Sequence, residues 1–261
     1  MKIAVPPTPV VSAADLDDLG PVRMLYVPAG HETPPGLMTI PLEEWVSRAK
    51  KTRTGLDDLA FWRSEIQKLG VGPDALSVVV DDGRMIEAAR VWFILQYFGL
   101  PAVVLNGGLP ALGGKVPQQA PPATAPLALE PGAGPVGLSD REHLKASLGT
   151  VQVFDARTAA EFRGEDLKGA PRGGHLPGAG NLSHADLLDG ARLKDASEIA
   201  ELMSKSGLDG SRSIVSHCHG GGRAALAALA AVAAGAKDVR VYYLSFADWA
   251  ADESCPLVRP D

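Results

Sequence analysis

The chain has 261 residues, 46% of them hydrophobic, which is enough to bury the core of one large domain or of two ordinary ones. The net charge of -6 argues against nucleic acid as a partner, and basic residues cluster only at Lys50, Lys51 and Arg53. No apolar stretch reaches the roughly 18 to 20 residues that span a bilayer, and the N-terminus lacks a secretion signal. We therefore expect a soluble protein, located in the cytoplasm, or in the periplasm if a signal peptide has been removed.

The first half of the chain alternates short apolar runs with longer amphipathic ones. This pattern predicts, in chain order, strand Met24–Val27, helices Leu42–Arg48 and Leu59–Leu69, strand Val78–Val80, helix Met85–Phe98 and strand Ala102–Leu105. Residues 111–138 are rich in proline, alanine and glycine, a composition that makes a poor helix or strand interior. We interpret them as a linker between a first domain, 1–110, and a second domain, 139–261.

The second half repeats the alternation of strands and helices. Ser139 and Glu142 have the spacing of a capping box, which predicts a helix ending near Leu148. Beyond it the pattern predicts strands Val151–Phe154, Ser213–Ser216 and Val239–Tyr242, and a helix Arg223–Ala234 closed by Gly235. The alternation indicates an α/β fold with two domains, each a parallel sheet with helices on both faces.

Cys218 and Cys255 are the only cysteines, too few for a disulfide framework, and they lack the spacing of a zinc site. We interpret Cys255, near the C-terminus, as an incidental thiol. Cys218 stands between a predicted strand and the three glycines Gly220–Gly222, which lead into a helix. Glycines let successive N–H groups point at the sulfur, and with the helix dipole and Arg223 they should favour the thiolate at ordinary pH. The sequence thus predicts a nucleophilic cysteine, with no metal or cofactor.

Other motifs flank this loop in a definite order. They are Asp155-Ala156-Arg157, Glu161-Phe162-Arg163-Gly164, Gly174-His175-Leu176-Pro177-Gly178-Ala179 with Asn181, the loop Cys218 to Arg223, and Tyr242-Tyr243-Leu244-Ser245 with Trp249. Each motif alone is weak, but the ordered set over residues 139–251 resembles the catalytic domain of the rhodanese family. Leu244 stands where the family usually has glycine, so the turn there is expected to differ.

The first half resembles the inactive partner domain of tandem rhodaneses. Its run Val79-Val80-Asp81-Asp82-Gly83 parallels the run from Val215 to His219, which places Asp82 opposite Cys218. Because an aspartate cannot form a persulfide, the first domain is expected to carry no sulfur.

The resemblance implies a sulfurtransferase in which Cys218 takes sulfur from thiosulfate, releases sulfite and passes the sulfur from a persulfide to cyanide or a thiol. It also implies that Arg157 and Arg223 bind the anionic oxygens of the donor, a task that suits a planar, permanently charged guanidinium. Asp155 is assigned a supporting, structural role. As an alternative, Arg157 is a surface ion-pair partner of Glu161. The backbone N–H groups expected to cradle the persulfide are those of His219, Gly220, Gly221, Gly222 and Arg223.

Other functions compete with this interpretation. Relatives that use 3-mercaptopyruvate tend to end the loop in threonine, where this chain has Arg223. A non-enzymatic sulfur-carrier or docking module would also use the loop. A phosphatase of the same fold would have five residues between cysteine and arginine, whereas four separate Cys218 from Arg223. We expect a monomer that binds a small-molecule donor and a thiophilic acceptor, with no nucleic acid or membrane partner.

Two histidines near the motifs are expected to have structural roles. His175 should anchor a turn, and His217 should point away from the pocket.

Overall fold

A computed structural model describes residues 5–28 and 33–259 of the chain. The chain divides into two compact units: the residues up to Gly134 with Gly190–Leu193, and Pro135–Asp189 with the residues from Lys194 onward. Each unit contains a five-stranded parallel sheet flanked by helices, which confirms the predicted α/β class. In the described part of the chain, no helix is both long and apolar enough to cross a bilayer.

The first unit follows the predicted alternation closely. Its elements are β1 (Val10–Val11), a 3-10 helix (Asp15–Leu19), β2 (Arg23–Tyr26), β3 (Met38–Thr39), α1 (Leu42–Ala49), α2 (Leu59–Lys68), β4 (Ser77–Val80), α3 (Ile86–Tyr97), β5 (Ala102–Leu105) and α4 (Gly108–Ala111). The strand order is β1-β5-β4-β2-β3. The central strand β4 is buried along its whole length, as expected of a parallel strand covered on both faces.

Residues 111–134 of the predicted linker 111–138 belong to the first compact unit. The N–H groups of Ala120 and Glu130 donate to carbonyls of that unit, at 2.8 and 3.1 Å. The many prolines of this stretch have no N–H to donate, so its backbone contacts are widely spaced. The strand β6 (Val136–Ser139) begins inside the stretch, so the second sheet starts before residue 139.

Most of the remaining elements form the second unit, which repeats the architecture of the first; the short strand Arg192–Leu193 belongs to the first unit. The remaining elements are α5 (Arg141–Ser147), β7 (Gln152–Asp155), α6 (Ala159–Arg163), β8 (Ala179–Asn181), a 3-10 helix (His184–Leu187), β9 (Leu188–Asp189), β10 (Arg192–Leu193), α7 (Ala196–Lys205), β11 (Ile214–His217), α8 (Gly222–Ala233), β12 (Val239–Tyr242) and α9 (Ser245–Ala251). The second sheet has the order β6-β12-β11-β7-β8. The two five-stranded sheets therefore share one topology.

The start of α5 differs from the prediction. Asp140 caps this helix, because its side chain accepts the His143 N–H at 2.8 Å. Ser139 is the last residue of β6, so the capping box predicted for it is wrong. A complete capping box occurs instead at α6, where Thr158 and Glu161 bond to each other's backbone N–H.

Candidate active site

The Cys218 loop lies at the carboxyl end of the central strand β11. Cys218 follows the strand directly and α8 begins at Gly222, so the backbone must turn sharply between them. Gly221 makes the turn with a φ of 98°, which glycine adopts without the clash that a Cβ would cause. The carbonyl of Cys218 accepts the N–H of Phe246 at 3.0 Å, which ties the loop to the start of α9.

The sulfur of Cys218 is buried beneath this loop. Its side chain is 1% exposed, and Sγ accepts the N–H of Gly221 at 3.1 Å. The Gly221 amide, one of the predicted cradle amides, therefore contacts the sulfur. A Cβ added to Gly220 would meet no atom within 4 Å, so this part of the loop borders open space. The loop can hold an anionic sulfur while leaving room beside it.

Arg223 closes the loop from the first turn of α8. Its Nη1 and Nη2 donate to the two carboxylate oxygens of Glu161 at 2.6 and 2.8 Å, and its side chain is 17% exposed. Burial alone would lower the pKa of Arg223, but the hydrogen-bonded Glu161 and the nearby Cys218 sulfur raise it above its ordinary value. The guanidinium thus stays charged beside the sulfur.

Glu161 is held in place by its own helix as well as by Arg223. It is 1% exposed, and Oε2 accepts the N–H and the hydroxyl of Thr158 at 3.1 and 3.0 Å. Burial raises the pKa of Glu161, but the hydrogen bonds and charge of Arg223 and the bonds from Thr158 outweigh it and lower the pKa to about 2. The carboxylate is therefore ionised over the physiological range.

Arg157 does not reach the open side of the loop. It is 2% exposed, and its Nε and Nη2 donate to Asp155 Oδ1 and Oδ2 at 2.9 and 2.6 Å. Nη2 also donates to the Gly174 carbonyl at 2.9 Å, and the guanidinium lies 3.8 Å from the centre of the Phe246 ring. In the chain itself, the hydrogen bonds of Arg157 thus go to Asp155 and Gly174. The alternative, a surface ion pair of Arg157 with Glu161, is wrong, since Arg157 is buried and Glu161 bonds to Arg223.

Two histidines near the loop have structural surroundings. His217 is fully buried with Nε2 3.4 Å from Asp155 Oδ2; burial lowers its pKa to about 4 although Asp155 opposes the shift, so the ring is neutral at pH 7. His175 stacks on Phe162 with ring centres 3.7 Å apart, and its Nδ1 lies 3.1 Å from the Phe162 carbonyl. His175 thus anchors its turn, the role expected for it.

Ser245 is a site residue that the sequence motifs contained without showing its role. Its hydroxyl accepts the Cys218 N–H at 3.2 Å, donates to the Tyr242 carbonyl at 2.8 Å and lies 3.9 Å from the sulfur. Its φ of 61° is unusual for a residue with a Cβ. Only the structure reveals that Ser245 holds the loop.

His184 also escaped the sequence analysis. It is half-buried, its Nδ1 lies 3.3 Å from the Ala156 carbonyl, and burial followed by the charge of Arg223 lowers its pKa. A histidine outside any motif offers no signal in the sequence. Residues 5–28 and 33–259 contain no group of three or more side chains suited to hold a metal ion.

The equivalent loop of the first unit corrects one alignment. Asp81 follows β4 directly, and its carbonyl accepts the Leu109 N–H at 2.7 Å, just as Cys218 follows β11 and accepts from α9. Asp81 is therefore the counterpart of Cys218, and the placing of Asp82 there is wrong by one residue. Asp82 instead pairs with Arg84 at 2.9 Å.

Fold and site together define a tandem α/β protein with a cysteine loop at a helix N-terminus. The family model of the rhodanese-like domain matches residues 140–252. The thiosulfate sulfurtransferase of Azotobacter vinelandii is 33% identical over 204 residues, which cover 73% of this chain and 72% of that protein. The 3-mercaptopyruvate sulfurtransferase of Escherichia coli K12 is 30% identical over 201 residues, which cover 74% and 71%.

Solved structures show the same fold over nearly the whole chain. The crystal structure of SseA from Escherichia coli, titled as a 3-mercaptopyruvate sulfotransferase, is 22% identical with a TM-score of 0.66 and covers 92% of this chain and 99% of its own. The sulfur transferase subunit of yeast mitochondrial complex I is 21% identical with a TM-score of 0.77 and covers 97% and 99%. The chain belongs to the rhodanese family of sulfurtransferases, which confirms the resemblance seen in its motifs.

Proposed function

We propose that this sulfurtransferase moves a sulfane sulfur from thiosulfate to a thiophilic acceptor, cyanide or a thiol, through a persulfide on Cys218. The observation that carries the proposal is the Cys218 sulfur accepting the Gly221 N–H at 3.1 Å with the charged Arg223 beside it. Backbone donors and a fixed cation stabilise negative charge on sulfur, both in the thiolate and in the persulfide.

The reaction balances without a cofactor. The Cys218 thiolate attacks the outer sulfur of thiosulfate, a sulfur–sulfur bond forms to Cys218, and the bond inside thiosulfate breaks with its electron pair leaving on sulfite. Cyanide then attacks the outer sulfur of the persulfide, and thiocyanate leaves as the Cys218 thiolate is restored. A thiol acceptor takes the same sulfur as its own persulfide.

Arg223 is the side chain that we assign to the donor's oxygens. A guanidinium has five N–H donors, and Glu161 takes one from each terminal nitrogen, so others remain for an anion. Arg157 is assigned to the support of the loop, because it is buried against Asp155 and Phe246. The amides of His219, Gly220, Gly222 and Arg223 complete the proposed cradle around that of Gly221.

One feature supports thiosulfate over 3-mercaptopyruvate as the donor. The loop ends in Arg223, where relatives that use 3-mercaptopyruvate tend to have threonine, and the permanent positive charge of Arg223 suits the doubly charged thiosulfate.

Intact-mass measurement after treatment with thiosulfate tests the chemistry. We expect one added sulfur atom on the wild type and none on Cys218→Ala, with the sulfur lost again on addition of cyanide. Steady-state rates with both donors then test the specificity, and we expect the higher kcat/KM for thiosulfate. A higher value for 3-mercaptopyruvate would overturn the donor assignment alone, whereas sulfur uptake without turnover would favour a carrier module.

A further inference from the structure

Arg223 occupies a position that is electrostatically unfavourable for a cation. It is the second residue of α8, a twelve-residue helix with no acidic residue in its first turn. The N-terminus of a helix carries partial positive charge and repels a guanidinium. Something outside the helix must therefore keep Arg223 beside the sulfur.

Glu161 supplies that restraint from α6. Its two oxygens accept both terminal nitrogens of Arg223, a bidentate geometry that fixes the plane of the guanidinium as well as its position. The carboxylate cannot rotate away, because Oε2 also accepts the N–H and hydroxyl of Thr158. The capping box of α6 thus orients a side chain that lies in the loop of α8.

We propose that Glu161 is a positioning residue that holds Arg223 against the Cys218 sulfur, so that its negative charge promotes the thiolate instead of suppressing it. This inference deepens the proposed function and rests on its assignment of Cys218 as the sulfur carrier. In Glu161→Gln, a side-chain amide N–H group would face one terminal nitrogen of Arg223 in place of an accepting oxygen, and the guanidinium would turn out to solvent.

The sign of one measurable effect separates this role from simple electrostatics. If Arg223 stays in place, the loss of a nearby negative charge makes the field at the sulfur more positive, and the thiolate forms at lower pH. If Arg223 leaves, the sulfur loses its cation, and the thiolate forms at higher pH. The other charged or titratable groups in and around the loop include Asp155, Arg157, His184, His217 and His219. None of them is altered by the substitutions used below.

Alkylation of Cys218 by iodoacetamide over a range of pH, followed by peptide mass spectrometry, measures the thiolate directly and distinguishes Cys218 from Cys255. For Glu161→Gln we expect the alkylation midpoint to rise by roughly one pH unit, in the same direction as for Arg223→Gln. The double variant should show no shift beyond that of Arg223→Gln, because both changes remove the same interaction.

Two further variants control the experiment. Glu165→Gln removes an equal charge from an exposed carboxylate paired with Arg163, and we expect no shift. Thr158→Val removes one donor to Glu161 at nearly constant volume, and it should raise the midpoint by a smaller amount than Glu161→Gln; it also serves if Glu161→Gln fails to fold. Circular dichroism establishes which variants are folded.

A fall or no change in the midpoint of folded Glu161→Gln, or of Thr158→Val where it replaces that variant, would overturn the positioning role. The alkylation uses no sulfur donor, so it tests Glu161 independently of sulfur transfer. Failure of the wild type to take up sulfur from thiosulfate would instead overturn the proposed function, whatever the alkylation midpoints show.

Discussion

The loops that follow the two central strands have the same place in the fold, but a carboxylate accepts the backbone N–H groups of one and a sulfur accepts that of the other. In the first unit, the Asp81 carboxylate accepts the N–H groups of Gly83, Met85 and Ala88 at 2.9, 3.1 and 3.2 Å. In the second unit the backbone donor faces the sulfur of Cys218. The Asp81 carboxylate occupies these backbone N–H donors itself, so they are not offered to a ligand. The single sulfur of Cys218 leaves space in its loop for a second sulfur atom.

The residue that closes each loop differs in a matching way. Gly108 and Ser245 both have a φ of 61° and both follow the strand next to the central one. A Cβ on Gly108 would lie 2.6 Å from the Cα of Gly83, so the longer loop of the first unit fills that space. In the second unit the space is open to the Ser245 hydroxyl, which binds the Cys218 N–H. The longer loop of the first unit thus goes with a glycine at this position, and the shorter loop of the second unit goes with a serine.

A third difference concerns the strand beside the central one. The N–H groups of Val27 in the first unit and Ala156 in the second both donate to the last carbonyl of their central strand, at 2.8 and 2.9 Å, so these two residues are equivalent. The residues directly before them, Tyr26 and Asp155, are therefore equivalent as well. The first unit thus has a buried aromatic residue where the second has a buried carboxylate paired with Arg157. The ionic contact belongs to the unit that carries the cysteine.

The largest expected effect comes from making the second loop resemble the first. Cys218→Asp should reduce thiosulfate-dependent sulfite release to background, because a carboxylate in the cradle can neither attack nor hold a sulfur. Cys218→Ser should do the same with almost no change of volume. Sulfite release and circular dichroism are measured together, and turnover by either folded variant would contradict the role of Cys218.

Arg157→Ala tests whether the buried ion pair supports the second unit. We expect the free energy of unfolding to fall by about 3 to 5 kcal/mol, because Asp155 would be left as an uncompensated buried charge. Urea denaturation measures the loss, and Arg163→Ala, which breaks an exposed pair, is the control, for which we expect a much smaller loss. If Arg157→Ala is as stable as the wild type and has a raised KM for thiosulfate, Arg157 binds the donor and does not support the fold.

Gly108→Ala and Ser245→Ala probe the two loop closures. For Gly108→Ala we expect a loss of about 2 to 4 kcal/mol in the free energy of unfolding, since its Cβ would meet the Gly83 backbone at a φ that disfavours side chains. Ser245→Ala keeps a Cβ and loses one hydroxyl, so about 1 kcal/mol is expected. Equal losses in urea denaturation would contradict the contrast between the loops.

The pH dependence of stability tests the ion pair of Glu161. Because the pKa of Glu161 is lowered from 4.5 to about 2 in the folded chain, its stabilising effect is complete above pH 4.5 and is lost as the pH falls toward 2. The stability difference between wild type and Glu161→Gln should therefore shrink over that range. A difference that is constant between pH 7 and pH 3 in denaturation experiments would show that Glu161 contributes through packing alone.

The smallest effect is expected where a cysteine is introduced into the first loop. Asp81→Cys in a Cys218→Ser background should take up no sulfur from thiosulfate, because a cysteine alone does not supply the glycine loop and the Glu161–Arg223 pair of the second unit. Intact mass after thiosulfate treatment is the measurement. One added sulfur atom would show that the cysteine is sufficient and that the remaining differences between the loops are incidental.

Several elements could be predicted because their signals are local. Short apolar runs mark β4, β5, β11 and β12, and the glycines before α8 mark the turn after Cys218. The helix α7 was missed although Ile199 and Met203 stand one turn apart on its buried face. The strand β6 was missed because it lies at the end of a proline-rich stretch and contains a glycine.

The amino-acid sequence alone was sufficient to identify Cys218, its loop and the rhodanese family, because these depend on neighbouring residues and on motif order. The partners of the charged side chains could be identified only in the folded structure. Arg223 pairs with Glu161, which is 62 positions away, because β7 lies beside β11 in the sheet. Arg157 pairs with Asp155, a close neighbour in the sequence, and the fold buries both. The choice of Asp81 over Asp82 likewise depended on strand register, since a shift of one residue points a side chain to the opposite face.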